Sequence, residues 1–352
     1  MEKIQIQGYK SIKDLSLGLR PVNILIGANG SGKSNFLSFF EFLKNLYVQN
    51  LKSYVALRGG TDKFLHKGNK VTKEIRAKLD FGENKYSFTI EEGLSGFLFT
   101  REELWCSNNP TNIASLTEES NLKNSDDYRA KYIRRCLDGF IKYHFHDTSL
   151  NSPFSKTSNI QNDRFRLYSK GENIAAYLYN IKENYFQSYN LIVKTIQSVA
   201  PYFDDFYLQP LENNLIQLYW TSKYDETIYG VSDLSDGTIR FIALCALFLQ
   251  PQLPEMIIID EPELGLHPFA IAKLSGIIKS AAEKGCQVII ATQSADLIKY
   301  FSAEDIITVD SINGESHFER LDFSKLQLWL DNYYSLGDLW RQNIITTAQP
   351  NF

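Results

Sequence analysis

A glycine-rich segment that follows a short apolar run constrains the fold of this chain more than any other feature. Residues 27–34 read GANGSGKS, and the run before them is Val22–Ile26. Short apolar runs are typical of strands buried on both faces of a sheet. Glycines let the backbone curl so that successive N–H groups face phosphate oxygens, and a following helix adds the positive end of its dipole. The segment therefore predicts a phosphate-binding loop.

This loop supplies most of the predicted contacts to a nucleotide. We expect Lys33 to reach the β- and γ-phosphates of ATP and Ser34 to ligate Mg²⁺. Apolar side chains recur at helical spacing over residues 34–47, which predicts the helix that the loop requires. The predicted ATP-binding residues of this region are Asn29, Gly30, Ser31, Gly32, Lys33, Ser34 and Asn35.

A second apolar run, Met256–Asp260, ends in an acidic residue and is followed directly by another, Glu261. In a parallel α/β sheet, ligands bind at the carboxyl ends of the strands. Asp260 is suited to hold Mg²⁺, directly or through water, and Glu261 to act as the general base toward an attacking water. Asp260, Glu261 and Lys33 are therefore predicted catalytic residues of an ATPase.

A third motif, LSDGT at residues 234–238, precedes the apolar stretch 239–249, which predicts a helix. Ser235 and Gly237 at a helix start can form a second phosphate-binding nest. Ser-Asp-Gly is also an ordinary turn, but its position ahead of the Asp-Glu strand favours the nucleotide role.

These motifs, with IIIDEPELGLHP at 257–268 and VIIATQS at 288–294, resemble the ABC-type ATPases of the SMC and RecF group. A narrower resemblance is to a bacterial family of stand-alone predicted AAA/ABC ATPases. It rests on GGTDKFLHKG at 59–68, YHFHDTS at 143–149, LSDGTIRFIAL at 234–244 and YSLGDLW at 334–340.

The resemblance implies an ATP-driven homodimer, or higher oligomer, with ATP sites at the subunit interface. Ser235 and Gly237 would then act on the γ-phosphate held by the partner. Gln293 stands where many ABC ATPases have a histidine that senses the γ-phosphate, and it is the fourth predicted catalytic residue. Glutamine can hydrogen-bond an oxygen but cannot carry positive charge, so we expect slow turnover.

The chain as a whole predicts an α/β fold. Predicted helices and strands alternate at 268–284, Gln287–Thr292 and 305–309, which favours a mainly parallel sheet. Between 105 and 231 the composition shifts toward Asn, Ser, Lys and Tyr, with predicted helices at 173–181 and 189–198. We therefore predict an ABC-type P-loop core of residues 1–104 plus 232–352 and an inserted helix-rich lobe of residues 105–231.

Composition and charge limit the partners. No apolar run reaches the ~18–20 residues of a membrane helix, so we expect a cytoplasmic protein without a membrane partner. The net charge of −4 argues against a generally basic nucleic-acid binder but leaves room for a local basic face. Four separated cysteines, none in a CxxC pair, predict free thiols.

The leading functional hypothesis is a regulatory or mechanical ATPase that acts with DNA, or with a separate nuclease or effector chain, in DNA repair or phage defence. One alternative is a nucleotide-gated scaffold with little turnover. Another is the ATP-binding subunit of a membrane transporter, which the LSDGT motif and Gln293 disfavour.

Three smaller groups of residues each allow two interpretations. His144 and His146 indicate either a structural role or, with Asp147, a metal site. Arg134 and Arg135 indicate a solvated helix face or contacts to DNA phosphates. A group of aromatic residues indicates either core packing or a base-stacking platform: Tyr202, Phe203, Phe206 and Tyr207.

Overall fold

The computed structural model describes residues 1–107, 109–149, 151–322, 324, 335–342 and 344–345. The strands are β1 (Lys3–Tyr9), β2 (Ile12–Gly18), β3 (Val22–Ile26), β4 (Glu74–Asp80), β5 (Asn84–Glu92), β6 (Phe97–Cys106), β7 (Asn109–Ala114), β8 (Phe140–Tyr143), β9 (Ser158–Asn159), β10 (Phe203–Tyr207), β11 (Leu215–Ile216), β12 (Tyr219–Ser222), β13 (Ile228–Gly230), β14 (Met256–Asp260), β15 (Gln287–Thr292), β16 (Ile306–Ile312) and β17 (Glu315–Arg320). The helices are α1 (Lys33–Tyr47), α2 (Leu51–Leu57), α3 (Tyr128–Asp138), α4 (Ile174–Asn184), α5 (Phe186–Val199), α6 (Asp236–Phe248), α7 (Pro268–Glu283), α8 (Ala295–Ile298) and α9 (Leu336–Arg341).

The described residues form two compact units. The first contains Met1–Ile141 and the described residues from Ser302 onward, and the second contains Lys142–Phe301. The predicted inserted lobe, residues 105–231, falls partly in each unit, so its assignment as one lobe stays a prediction.

An antiparallel sheet of six strands, in the order β2-β1-β4-β5-β6-β7, forms much of the first unit. Along β1 the side chains alternate, so that Ile4 and Ile6 are fully buried while Gln7 is exposed. The ring of Tyr9 packs edge-on against Phe39 and Phe42 of α1, with ring centroids 5.1 and 5.5 Å apart. This packing fixes the helix that follows the phosphate loop.

Strand β3, which leads into the phosphate loop, pairs in parallel with β16. Strand β16 in turn pairs antiparallel with β17. All five residues of β3 are buried, as expected for a strand covered on both faces. The end of β3 therefore delivers the loop next to residues from the last third of the chain.

In the second unit, β14 and β15 pair in parallel, with Asp260 opposite Ala291. The first four residues of β14 are buried, and only Asp260 at its carboxyl end is partly accessible. Helices α5 and α6, and α6 and α7, pack against one another. An antiparallel sheet of β10, β12 and β13 and a short β9–β11 pair lie in the same unit.

The structure confirms both ends of three predicted strands, β3, β14 and β15. The predicted helices at 34–47 and 239–249 begin one and three residues earlier than expected, at Lys33 and Asp236. The predicted core extends to residue 352, and the motif at 334–340 begins at Tyr334. Residues 325–334 and 346–352, on which these predictions partly fall, lie outside the described residues.

The aromatic cluster is confirmed as core at two of its four positions. Phe203 and Phe206 are buried, and the Phe203 ring stacks on Trp220 with centroids 5.9 Å apart. Tyr202 and Tyr207 are half-buried. The four cysteines are free, as predicted. No helix within the described ranges is both long enough and apolar enough to cross a membrane.

Candidate functional site

Two of the glycines in the phosphate loop have no space for a side chain. A β-carbon built on Gly27 would lie 2.1 Å from the carbonyl oxygen of Val309. Gly32 has a φ of +113°, and a β-carbon there would lie 1.9 Å from the Ser316 hydroxyl oxygen. These contacts require glycine at both positions. At position 30, by contrast, a β-carbon would face open space, and glycine is favoured there because φ is +79°.

Polar groups of the loop match the chemistry of a polyphosphate. Lys33 is only 6% exposed. Its ammonium group donates to the carbonyl oxygens of Gly27 and Ala28 at 2.6 and 3.0 Å. The hydroxyl oxygen of Ser31 is buried and has no hydrogen-bond partner within the described residues. Helix α1 begins at Lys33, and its capping residue, Gly32, offers no side-chain cap; N–H groups at a helix start bind anions.

The predicted cofactors therefore fit this loop. Ser34 is exposed at the helix start, and a side-chain oxygen is the type of ligand that Mg²⁺ prefers. Asn35, also a predicted contact, donates its amide to the hydroxyl of Ser11 at 2.7 Å.

Two serines support the loop from outside the motif. The Ser316 hydroxyl donates to the carbonyl oxygen of Ser31 at 2.6 Å and lies 2.7 Å from the hydroxyl oxygen of Ser11. Sequence reasoning missed both residues, since isolated serines in a turn and in the last long strand carry no recognisable pattern.

The acidic pair of the second unit is joined to the predicted γ-phosphate sensor. The side-chain amide of Gln293 donates to the Glu261 carboxylate at 2.8 Å. Glu261 adopts a φ of +42°, and its N–H donates to the carbonyl oxygen of Ala291 at 2.8 Å. The turn after Asp260 is thus fixed to the end of β15, which holds Glu261 and Gln293 together.

A buried carboxyl group lies two residues beyond Glu261. Glu263 is only 8% exposed, one of its oxygens accepts a hydrogen bond from the Thr292 hydroxyl, and the other has no partner within the described residues. Burial raises the pKa of Glu263 to about 7, against the lowering effect of the Thr292 hydrogen bond. The negative charges of Glu261 and Asp260 raise this pKa further. The IIIDEPELGLHP motif that contains Glu263 gave no sign of this burial.

The LSDGT segment is held tightly against the loop after the acidic pair. A β-carbon built on Gly237 would lie 2.4 Å from the carbonyl oxygen of Gly265. The Ser235 hydroxyl caps α6 by accepting from the Thr238 N–H at 3.2 Å. The guanidinium of Arg240 donates to the carbonyl oxygen of Leu264 at 2.8 Å.

Arg240 also donates to the carbonyl oxygens of Phe145 and His146, at 3.3 and 2.9 Å. One side chain thereby joins three segments of the second unit: helix α6, the loop after β14, and the YHFHDTS segment. The motif reasoning did not single out Arg240, because an arginine within a helix usually indicates only a solvated face.

Each unit carries one part of the predicted set. The first unit holds the seven residues of the phosphate-loop region. The second unit holds the other five predicted site residues: Ser235, Gly237, Asp260, Glu261 and Gln293. Within the second unit, Glu261 and Gln293 are in direct contact.

The smaller clusters have structural partners. The ring centroids of His144 and His146 lie 6.4 Å apart, and Phe145 between them in sequence is buried. Within the described residues, no group of three or more His, Cys, Asp or Glu side chains is placed to hold a metal ion. Arg134 donates to three backbone carbonyls, those of Leu122, Lys123 and Ser125. The structure therefore favours a structural role for Arg134.

Comparison with solved structures identifies the fold. An Smc head bound to the C-terminal winged-helix domain of ScpA matches with a TM-score of 0.60 and 15% identity, over 93% of this chain and 99% of that chain. A Pyrococcus furiosus ScpA-bound Smc head with an extended coiled coil matches with a TM-score of 0.58 and 16% identity, over 94% and 98% of the two chains. The chain thus has the α/β fold of an SMC-type ABC ATPase head.

Two curated proteins are related in sequence. The Old nuclease of Escherichia phage P2 is 24% identical over 88% of this chain, which spans 59% of that protein. The energy-coupling factor transporter ATP-binding protein EcfA of Methanocaldococcus jannaschii is 29% identical over 77 residues, 22% of this chain and 27% of that protein. The chain therefore spans less than two thirds of the length of either relative.

A family model described as "AAA domain, putative AbiEii toxin, Type IV TA system" matches residues 22–299. The match includes the phosphate loop, the LSDGT segment, the acidic pair and Gln293. It covers well over half of the chain, and the solved structures support the same class. The chain belongs to this AAA_21 family of ABC-type P-loop ATPases.

Proposed function

We propose that this chain hydrolyses ATP with Mg²⁺ and works as an ATP-gated dimer, acting with DNA or with a separate nuclease or effector chain. The observation that carries the hydrolytic part is the 2.8 Å hydrogen bond between Gln293 and Glu261. A carboxylate held in one orientation at the end of a strand is suited to accept a proton from an attacking water. Hydrolysis is favoured over simple nucleotide binding for this reason.

In the phosphate loop, the N–H groups at the start of α1 and the Lys33 ammonium would bind the β- and γ-phosphates. Lys33 would exchange its present carbonyl acceptors, Gly27 and Ala28, for phosphate oxygens. Mg²⁺, for which Ser34 is a predicted ligand, would neutralise charge that develops on the transferred phosphoryl group. Most of the rate enhancement would thus come from positioning and electrostatics.

Dimer formation would use the LSDGT segment. Ser235 and Asp236 are exposed at the start of α6. Leu264 and Phe269, in the loop after β14 and at the start of α7, are exposed apolar side chains in the same unit. Closure on ATP and opening after hydrolysis would be the mechanical output, passed to DNA or to an effector in DNA repair or phage defence. The relationship to the Old nuclease supports a partner of this kind.

A nucleotide-gated scaffold with little turnover is the second candidate function. The specific observation in its favour is that Gln293, a neutral side chain, occupies the predicted sensor position. A glutamine cannot supply the positive charge that a protonated histidine would.

ATP hydrolysis and molecular mass, measured on the wild type and on Glu261→Gln, separate these functions. We expect the wild type to hydrolyse ATP slowly, and Glu261→Gln to lose about 10²–10⁴-fold in rate and to accumulate as an ATP-dependent dimer in light scattering. Lys33→Ala should neither bind ATP nor dimerise, and Glu283→Gln on the exposed end of α7 is the matched control. Binding of ATP without hydrolysis in the wild type would establish the scaffold.

A further inference from the structure

An exposed aromatic side chain stands between two arginines on a loop of the second unit. Residues 164–166 are Arg164, Phe165 and Arg166. The Phe165 side chain is 71% exposed, and the Arg164 guanidinium lies 5.0 Å from the centre of its ring. Arg166 is also exposed. A large apolar ring left in water beside one arginine, and followed in sequence by another, requires an explanation, because burial is the ordinary arrangement for phenylalanine.

The loop is held in place from inside by Asn173. This asparagine is only 1% exposed, and its amide donates to the carbonyl oxygens of Asp163 and Arg166 at 2.6 and 2.7 Å. Its side-chain oxygen accepts from the Tyr168 N–H at 2.8 Å. Three hydrogen bonds from one buried side chain fix the backbone on both sides of Phe165. The Phe165 ring is therefore exposed on a loop whose backbone is fixed by hydrogen bonds.

The nearest acidic residue of the loop is already occupied. The Asp163 carboxylate accepts hydrogen bonds from the Asn159 N–H at 2.7 Å and from the Tyr168 hydroxyl at 2.9 Å. It thus serves the loop structure, and Arg166 has no ion pair to an acidic side chain within the described residues.

Two lysines add to the positive charge of this region. Lys156 and Lys170 both act on the Asp147 carboxyl, whose pKa is lowered first by hydrogen bonds from Ser149 and then by these two cations. The YHFHDTS segment runs beside Lys170, since the His144 N–H donates to the Ser169 carbonyl oxygen at 2.8 Å. Residues 151–173 carry four cations and two acids, whereas the chain as a whole has a net charge of −4. The segment is thus locally basic in a chain that is acidic overall, even though Asp147 offsets part of the charge of Lys156 and Lys170.

We propose that the loop of Arg164, Phe165 and Arg166, with Lys156 and Lys170, binds single-stranded nucleic acid. An unpaired base stacks on the exposed face of Phe165, and the cations contact the neighbouring phosphates. Exposed aromatic rings interleaved with cations suit a single strand, because every base offers a π-face, whereas the bases of a duplex are already stacked. The inference deepens the DNA part of the proposed function and does not depend on ATP hydrolysis.

Fluorescence anisotropy with labelled oligo-dT, oligo-rU and a duplex of equal length tests this inference on the full chain. We expect both single strands to bind more tightly than the duplex. Phe165→Ala should weaken binding by about 5–100-fold, which corresponds to the loss of one stacked base, and Phe165→Trp should retain it. Arg166→Gln should lower the slope of log affinity against log salt by about 0.7.

Tyr224→Ala and Lys223→Gln are the matched controls. Tyr224 is 77% exposed and follows Lys223 in a turn of the same unit, so it reproduces an exposed ring beside a cation elsewhere. Both controls should bind as the wild type does. Because Phe165 is largely in solvent, its replacement should leave the unfolding temperature unchanged.

Several results would overturn the inference: no binding of any oligonucleotide, unchanged binding by both loop variants, or equal binding of the duplex without effect of Phe165→Ala. Binding of an acidic peptide in place of the oligonucleotides, lost in the same variants, would assign the loop to a protein partner instead. ATP hydrolysis measured on the same samples keeps the two proposals apart. Hydrolysis without oligonucleotide binding contradicts only this inference, and binding without hydrolysis contradicts only the proposed ATPase.

Discussion

The side-chain amide of Gln293 donates a 2.8 Å hydrogen bond to the carboxylate of Glu261. This contact joins the residue at the sensor position to the proposed general base. A neutral donor at this position orients the carboxylate and leaves it free to accept a proton. The contact thus supplies a physical reason for a glutamine at the predicted sensor position.

Replacing Gln293 with alanine should therefore slow hydrolysis more than it weakens ATP binding. Hydrogen bonds to charged groups contribute roughly 1.5–3 kcal/mol, so we expect the turnover rate of Gln293→Ala to fall by about 10–100-fold. Steady-state hydrolysis and equilibrium binding of a fluorescent ATP analogue measure the two effects separately. Ser294→Ala, which removes the cap of α8, controls for damage to the loop itself. Equal losses in binding and turnover would show that Gln293 serves ATP affinity.

The buried Glu263 makes stability depend on pH. Burial raises its folded-state pKa from 4.5 to about 7, so the folded protein binds a proton that the unfolded chain releases between these values. The contribution of Glu263 to the free energy of unfolding is therefore fully present below about pH 4.5. It is lost as the pH rises through 7. Glu263→Gln should therefore gain stability relative to the wild type at about pH 8, on the order of 2–3 kcal/mol more than at about pH 5.

Urea unfolding of both proteins across this range measures that difference. The exposed Glu283→Gln should differ from the wild type by a constant amount at every pH. A constant difference for Glu263→Gln as well would mean that the carboxyl is ionised throughout.

Arg240 holds three backbone segments, and its removal should loosen all of them. Arg240→Gln leaves the carbonyl oxygens of Phe145, His146 and Leu264 without their donor. We expect a loss of about 1–3 kcal/mol in the free energy of unfolding, together with weaker ATP-dependent dimer formation. Urea unfolding and light scattering measure these effects, with Lys273→Gln on the exposed face of α7 as the control. An unchanged unfolding free energy would show that these contacts contribute nothing measurable.

Two glycines of the second unit should respond oppositely to alanine. Gly237→Ala places a methyl group 2.4 Å from the Gly265 carbonyl oxygen, and the backbone must shift to accept it. We expect about 1–3 kcal/mol of destabilisation from such overpacking. Gly276 lies within α7 with nothing within 4 Å of a built β-carbon, so Gly276→Ala should stabilise by about 0.5–1 kcal/mol. Thermal unfolding compares the two, and a stabilising Gly237→Ala would contradict the close approach.

The apolar runs made the central strands predictable. Val22–Ile26 and Met256–Asp260 end where glycine or acidic residues interrupt the run, so burial and sequence agree at both ends. The strand Phe97–Cys106 carries Arg101, Glu102 and Glu103 in succession and was not predicted. Glu102 is nevertheless buried, where it accepts hydrogen bonds from the Tyr86 hydroxyl and the Asn121 N–H. No local sequence pattern predicts such hydrogen-bond donors to a buried carboxylate.

The same limit applies to the site. Motif spacing predicts roles for Lys33 and Glu261, and the resemblance to ABC-type ATPases predicts one for Gln293, because these roles follow from residue type and position along the chain. Neither could identify Ser316 or Arg240, whose partners are backbone carbonyls far away in sequence. Contacts to the main chain depend on the folded path, and a side chain's identity alone does not specify them.

The Ser316 hydroxyl bonds to the Ser31 carbonyl oxygen across 285 residues of sequence. A chain emerging from the ribosome therefore carries the complete GANGSGKS motif long before it acquires the strand that braces it. A nascent chain that has not yet reached β17 lacks this hydrogen bond to its phosphate loop. The phosphate loop therefore gains this hydrogen bond only after the 285 residues that separate Ser31 from Ser316 have been synthesised.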